Sequence, residues 1–339
     1  MNLKARLAIF AAIVVLAAIG GAIYVLRAER EQTHAAGLPP QVPVTVGDWA
    51  SVATKPHIVF RNTATGTGYG QVALVPLDAS DGPRTLTPAS CDRVYATAQQ
   101  AVCLFAKRAM VTTYHAQVLG PNWTPIRDLP LSGIPSRTRL SKDGSLVATT
   151  TFVHGHSYAS PGEFSTETLV SKSDGSHTDN VESFTLNVDG TQITAEDRNI
   201  WGVTFADHDT FYATAASGKK TWLVRGSLSA RALTALRPDA ECPSLSPDGT
   251  RVAIKTRGNL PPGQWRIAVH DLRTGKSTLL AEARSVDDQI EWLDNTTVIY
   301  GLPRSGDGPA ATDVWRAPAD GTGTPTLLIR DAWSPAVIR

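Results

Sequence analysis

A repeated strand–turn–strand unit constrains this 339-residue chain more than any other feature. Ser141-Lys142-Asp143-Gly144 precedes SLVATTTFV, and Ser246-Pro247-Asp248-Gly249 precedes TRVAIKTR. In each, a strand ends, a tight turn follows and a second strand begins. Asp-Gly suits such a turn because Gly tolerates positive φ and Asp bonds its own backbone. The stretch after residue 241 supplies a complete unit: CPSLS, RVAIKT, WRIAVHDL, the turn RTGK, then STLLAE. EWL, TVIYGL, DVWRAPA and PTLLI repeat it, with Trp292 lying 47 residues after Leu245. Four strands recurring every ~40–50 residues predict the blades of a β-propeller.

Three more complete units precede these two. They are RVYAT, AVCLFAK, YHAQVLG and TPIRDLPL; then TRLS, LVATTTFV, TETLVSK and ESFTLNV; then IWGVTFA, TFYATAA, TWLVRGS and RALTAL. A first unit has only HIVFRN, QVALVPL and PRTLTP, and SPAVIR at the far end of the chain supplies its missing innermost strand. The expectation is an all-β, six-bladed propeller over residues 56–339, closed by the strand 334–339. Closure of this kind hides the edges that an open sheet exposes.

The stretches CDRVYATAQQAVCLF, NIWGVTFADHDTFYAT, ECPSLSPDGTRVAIK, SVDDQIEWLD and DVWRAPADG resemble the PD40 (WD40-like) repeats of TolB-type six-bladed propellers. Membrane-anchored TolB-like proteins of actinobacteria are especially similar. The resemblance covers about residues 57–339 and implies the fold, while leaving activity open. One repeat keeps the full Ser-Pro-Asp-Gly turn, and Lys142 replaces Pro in another.

Ahead of the propeller, Leu7 to Leu26 carries no charge. Twenty helical residues span roughly 30 Å, the thickness of a bilayer core. Lys4 and Arg6 precede the run, and Arg27 and Arg30 follow it, offset by Glu29 and Glu31. That balance places the N-terminus inside and the propeller outside the cytoplasm. A cleaved signal peptide is the alternative, but its apolar region is normally about 7–15 residues and ends in small residues. This run ends in Tyr24-Val25-Leu26-Arg27. The expected organisation is a cytoplasmic stretch 1–6, a single-pass membrane anchor 7–26 and a polar, Pro-rich tether 27–55.

Thirty-two basic against 31 acidic residues give a net charge of +1, which argues against a nucleic-acid partner. At 42% hydrophobic the chain is too apolar for a disordered one. The sequence has no G-x-S-x-G elbow, Walker loop, H-E-x-x-H or C-x-x-C. A non-catalytic binding or scaffold module for a protein or a cell-envelope component, with no cofactor, is therefore the leading expectation. The alternative is a propeller enzyme, such as a calcium-dependent lactonase or a sugar- or peptide-modifying type, with its site at the channel mouth.

Propellers present that mouth where the innermost strands begin. The residues placed there are Asp92 and Arg93, Arg198, Asn199 and Trp201, and Asp287, Asp288 and Gln289. Asp287 and Asp288 with Glu291 could ligate Ca²⁺, which takes oxygen ligands. They could equally pair with Arg93 or Arg198 and line a solvated channel. His154 and His156, with Tyr158, sit in an enlarged loop; two histidines can share a metal, but spacing identifies no third ligand. Trp201, Trp222, Trp265, Trp292 and Trp315 read as packing between blades, with a sugar-stacking surface as the alternative. Outside the cytoplasm a disulfide is permitted. Cys91 and Cys103 are the better-placed pair, three buried thiols being the other reading, because Cys242 belongs to the blade across the ring.

Overall fold

The computed structural model describes residues 4–6, 9–10, 12–23, 42–46, 48–159, 163–304 and 311–339. Their strands form six sheets. From rim to axis, blade 1 runs Val44–Val46, Arg84–Ser90, Gln71–Pro76, His57–Asn62 and Ala332–Ile338. Blade 2 runs outward through Arg93–Ala96, Ala101–Lys107, Thr113–Leu119 and Pro125–Leu129. Blade 3 has Ile134–Leu140, Leu146–His154, Ser165–Lys172 and Thr178–Asn180. Blade 4 begins with Asn199–Phe205, Thr210–Ser217, Lys220–Ser227 and Ala232–Pro238. Blade 5 has Glu241–Leu245, Arg251–Thr256, Arg266–Asp271 and Ser277–Leu279. Blade 6 has Glu291–Trp292, Thr297–Pro303, Thr312–Pro318 and Thr326–Ile329.

The strands are apolar on both faces because each blade is covered on both sides. Alternate side chains of a strand point to opposite faces. Ile58 and Phe60 accordingly join Ile299 and Val314 of blade 6, while Val59 joins Val94 and Ala101 of blade 2. Val102 and Leu104 continue to Leu140 and Val147 of blade 3. Ala148 and Val170 meet Ile200 and Phe211 of blade 4. Leu223 meets Val252 and Ile254 of blade 5, and Ala253 and Ile267 meet Ile290 and Val298 of blade 6. Six interfaces thus complete a ring. Its closure is antiparallel, with His57 opposite Ile338 and Ile58 opposite Val337.

The Asp-Gly turns share one wiring. Ser246 Oγ donates to Asp248 Oδ1 at 2.6 Å, which also accepts the Thr250 N–H at 3.0 Å. Ser141, Asp143 and Ser145 repeat this at 2.6 and 3.2 Å, so Lys142 in place of Pro alters nothing essential. Gly249 has φ 71° and Gly144 φ 76°, as the turn requires.

Three expectations need correction. ESFTLNV is not the outer strand of blade 3, which is Thr178–Asn180. A 3₁₀ turn at Val181–Ser183 redirects the chain. Thr185–Val188 then runs parallel to Ala232–Pro238 on blade 4, with Thr191–Ile193 as its hairpin partner. Burial of Phe184 and Leu186 among blade 4 side chains explains the choice. The closing strand is Ala332–Ile338, longer than 334–339 at its start. The tether assigned to 27–55 is also shorter. Val44–Val46 pairs in parallel with Arg84–Leu86, and the helix Trp49–Ala53 lies against the strands of blade 1.

Of the apolar run 7–26, residues 9–10 and 12–23 are helical, while 7, 8, 11 and 24–26 lie outside the described residues, as do 27–41. Among the described residues no helix is long and apolar enough to cross a membrane.

Candidate functional site

The innermost strands bring charged side chains to the ring axis. Arg93 begins the inner strand of blade 2, and Arg137 and Arg139 alternate along that of blade 3. Lys255 comes from the second strand of blade 5, its side chain fully buried. Asp287, Asp288, Gln289 and Glu291 lie where blade 5 passes to blade 6.

Each carboxylate has its own cation. Asp287 Oδ1 lies 2.7 Å from Lys255 Nζ and 3.5 Å from an Arg137 nitrogen. Asp288 accepts the Gly301 N–H at 3.0 Å and faces Arg93 at 3.9 Å. Glu291 pairs with Arg139, which also donates to the Ile290 carbonyl at 3.1 Å. The ammonium of Lys255 stands 4.1 Å from the ring centre of Trp265, a cation–π contact that helps replace lost water.

Burial and pairing tune these groups in opposite directions. Burial works against ionisation of Asp287, but Lys255 and Arg137 outweigh it and hold its pKa at about 2. Asp288 and Glu291 go the other way: burial raises both, and Arg93 and Arg139 offset it only in part. Burial also lowers Arg93 to about 10 and pushes the Tyr95 phenol up to about 12. The cavity left between Arg93, Ser136, Arg139, Asp288 and Ser334 is about 20 Å³, room for roughly one water. The axis at this level is a packed ionic plug.

The residues assigned to the mouth therefore separate. Arg93, Asp287, Asp288 and Gln289 join the plug, where Gln289 donates to the carbonyls of Val203 and Pro243 at 3.3 and 3.1 Å. Asp92 instead accepts the Ala106 N–H at 2.8 Å and closes its own hairpin. Arg198 turns outward and donates to the carbonyls of Ala195 and Phe184. Asn199, Trp201 and Tyr158 line a second cavity of about 130 Å³ between blades 3, 4 and 5, the Tyr158 ring backing onto Arg137 and Lys255 of the plug. The enlarged loop puts Tyr158 against Trp201, ring centres 5.0 Å apart, and Phe164 at the edge of both. Gly202 lets the inner strands of blades 4 and 5 approach there, because a Cβ on it would lie 2.8 Å from Cys242 Cα. Glu241 and Arg257 complete the wall.

His154 and His156 are exposed. Among the described residues no three His, Cys, Asp or Glu side chains gather as a metal-ligand set, and Asp287, Asp288 and Glu291 do not converge. Trp201, Trp222, Trp265 and Trp292 are buried, so their faces are used in packing. Cys91 and Cys103 form a disulfide with Cα atoms 5.4 Å apart, and Cys242 is a free, buried thiol. A larger cavity of about 300 Å³, between Trp49, His57, Gln99 and Trp123, lies on the opposite face.

Arg137, Arg139, Lys255, Glu241 and Arg257 escape a reading of the sequence by motif. Their signal is a charge embedded in a strand: Arg-Thr-Arg places two guanidinium groups on one face, and Lys255 follows Val-Ala-Ile.

The closed ring is a six-bladed β-propeller, similar in fold to solved TolB propellers. TolB from Acinetobacter baumannii is similar in structure, with 17% identity and a TM-score of 0.56; 84% of this chain and 66% of that one are covered. This chain thus spans a little under two thirds of that protein's length. The putative TolB from Agrobacterium tumefaciens is similar at 12% identity and TM-score 0.51, over 81% of this chain and 88% of that one. A GH74 enzyme of Niastella koreensis shares 12% identity at TM-score 0.50, over 87% of this chain and 46% of its own. Likeness at this level is likeness of fold. No protein-family model matches the chain, and no curated protein does.

Proposed function

We propose that this protein is a membrane-tethered propeller, held outside the cytoplasm, that binds a protein or cell-envelope component at its mouth. The observation that carries the binding reading is the pairing of Asp287, Asp288 and Glu291 with Lys255, Arg93 and Arg139. These preformed pairs hold Asp287, the one of the three carboxylates that reaches solvent, as a fixed charge at the mouth, suited to orientation and specificity at an interface. Proton transfer at neutral pH asks instead for a group tuned near 7 and open to substrate. Asp287, the most accessible of these carboxylates at 45% exposure, is held at about 2.

Two observations support the location. Ile9, Phe10, Ile13, Val14, Val15, Leu16, Ile19 and Ile23 are exposed on helical backbone, an apolar surface of the kind that water disfavours. The Cys91–Cys103 disulfide suits an oxidising compartment.

The test is in-cell crosslinking of the full chain. A photo-crosslinking residue in place of His156 reports on the mouth, and one in place of Lys276 on the opposite face. A discrete adduct from the first position only is expected. Adducts from neither, or equally from both, would remove the mouth from the proposal.

A further inference from the structure

Each carboxylate of the plug has its own cation, but the converse does not hold. Arg93, Arg137, Arg139 and Lys255 bring four positive charges to the axis, and Asp287, Asp288 and Glu291 bring three negative ones. Glu241 and Arg257 beside them form a balanced pair. Lys255 and Arg137 share Asp287, at 2.7 and 3.5 Å. One cation is therefore left over. Arginine does not shed its charge by giving up a proton at neutral pH. Burial also works against ionisation of Asp288 and Glu291, so the negative side is the weaker one. A charge held away from water without a counter-charge is strongly unfavourable.

The excess collects beside one hollow. Arg93 keeps 19% of its side chain accessible and lines the axial cavity. Its guanidinium makes no hydrogen bond among the described residues. The nearest carboxylate oxygen, Asp288 Oδ1, stands at 3.9 Å, outside hydrogen-bonding range. Asp288 Oδ2 is already committed to the Gly301 N–H at 3.0 Å. Trp333 offers Arg93 a ring face at 5.2 Å, which attracts a cation but does not neutralise it. Arg137 borders the same cavity, gives one nitrogen to the Ser136 carbonyl at 3.0 Å, and acts against the positive charge of Arg93.

From this we infer that the axial cavity is a halide site, filled by chloride in solution. Charge and size select the ligand. Water would satisfy an N–H of Arg93 but leave the excess charge in place. A metal cation would add to that excess. A carboxylate, sulfate or phosphate carries several heavy atoms, too many for a cavity of about 20 Å³. Chloride is a single atom little wider than a water molecule, and it accepts hydrogen bonds from any direction. Ser334 of blade 1, Arg93 of blade 2, Arg137 of blade 3 and Asp288 on the passage from blade 5 to blade 6 all border this position. An ion held there joins these parts across the axis, so its binding favours the closed ring over the unfolded chain. The inference stands whether or not a partner docks at the mouth.

The test uses the full chain in lipid nanodiscs at neutral pH and constant ionic strength, with sodium gluconate exchanged for chloride, bromide or sulfate. Chloride at about 100 mM should raise the melting temperature by about 2 °C or more, the shift that a ligand at roughly tenfold its Kd gives a domain of this size. Bromide should act like chloride, and sulfate should not. Arg93→Gln, which removes the excess charge, should abolish the halide response. Lys276→Gln, an exposed change on the opposite face, should leave it intact. Chloride NMR of the unaltered protein gives a reading that needs no variant: excess line broadening is expected, and bromide should displace it. Absence of that broadening would overturn the inference, as would equal melting temperatures in gluconate and chloride. An equal effect of sulfate, or an unaltered halide response in folded Arg93→Gln, would do so too. A partner crosslinked through His156 without any halide effect would refute the ion site and leave the binding module standing.

Discussion

Glu182 shows how one side chain can set a pH dependence. Its Oε1 accepts the Ile200 N–H at 3.0 Å and the Thr166 hydroxyl at 2.9 Å, while Oε2 is buried without a partner. Burial raises its pKa to about 8, against the pull of those hydrogen bonds. A carboxyl that holds its proton better when folded favours the folded state below its unfolded value. That advantage is lost as pH rises from about 4.5 to about 8. We expect the melting temperature to fall across that window in the native sequence and to stay flatter in Glu182→Gln. Equal slopes in the two proteins would refute the assignment. Asp248 acts in the opposite sense: the Ser246 hydroxyl and its other donors hold it at about 2, so its contribution fades only in acid. Asp248→Ala should cost about 1–2 kcal/mol in chemical denaturation, because three hydrogen bonds around one turn go with it. These aspartates were legible in the sequence because a turn is local. Arg93, opposite Asp288, was also legible as a partner, but the cations opposite Asp287 and Glu291 were not, since Arg137, Arg139 and Lys255 reach the axis from strands more than 30 residues away.

At the scale of elements, strand identity was readable and strand partnership was not always so. TLNV satisfies any sheet edge with one buried face, and alternation cannot tell the rim of blade 3 from the rim of blade 4. The 3₁₀ turn at Val181–Ser183 and the burial of Phe184 decide it. The blade 1 strand Val44–Val46 was missed for a similar reason: three residues beside prolines carry too short a pattern to read. The Cys91–Cys103 bridge ties the entry of blade 2 to its second strand across 12 residues. Cross-links over loops of this size contribute about 2–3 kcal/mol, mainly by restricting the unfolded chain. Replacing both cysteines by serine should lower stability by that amount in urea denaturation. A loss below about 0.5 kcal/mol would show that the bridge adds little to the folded blade.

At the scale of the molecule, stability is a property of the ring. The strand Ala332–Ile338 contributes to two inter-blade cores, through Ile338 on one side and Ala332 and Val337 on the other. Its removal would expose an inner edge and both of those interfaces together. Deleting Ser334–Arg339 should therefore lower the melting temperature by more than about 10 °C, the effect of a few kcal/mol on a domain of this size. Deleting residues 30–41 should change it far less; equal shifts would contradict closure by the terminal strand.

That terminal strand also determines where anything appended to the chain would sit. It runs from the mouth toward the other end of the axis, so Arg339 finishes beside His57, at the underside where blade 1 begins. A reporter domain or affinity handle joined after Arg339 would hang from that underside and leave the rim unobstructed. The same graft placed in the 154–159 loop would stand directly in the way of any incoming molecule.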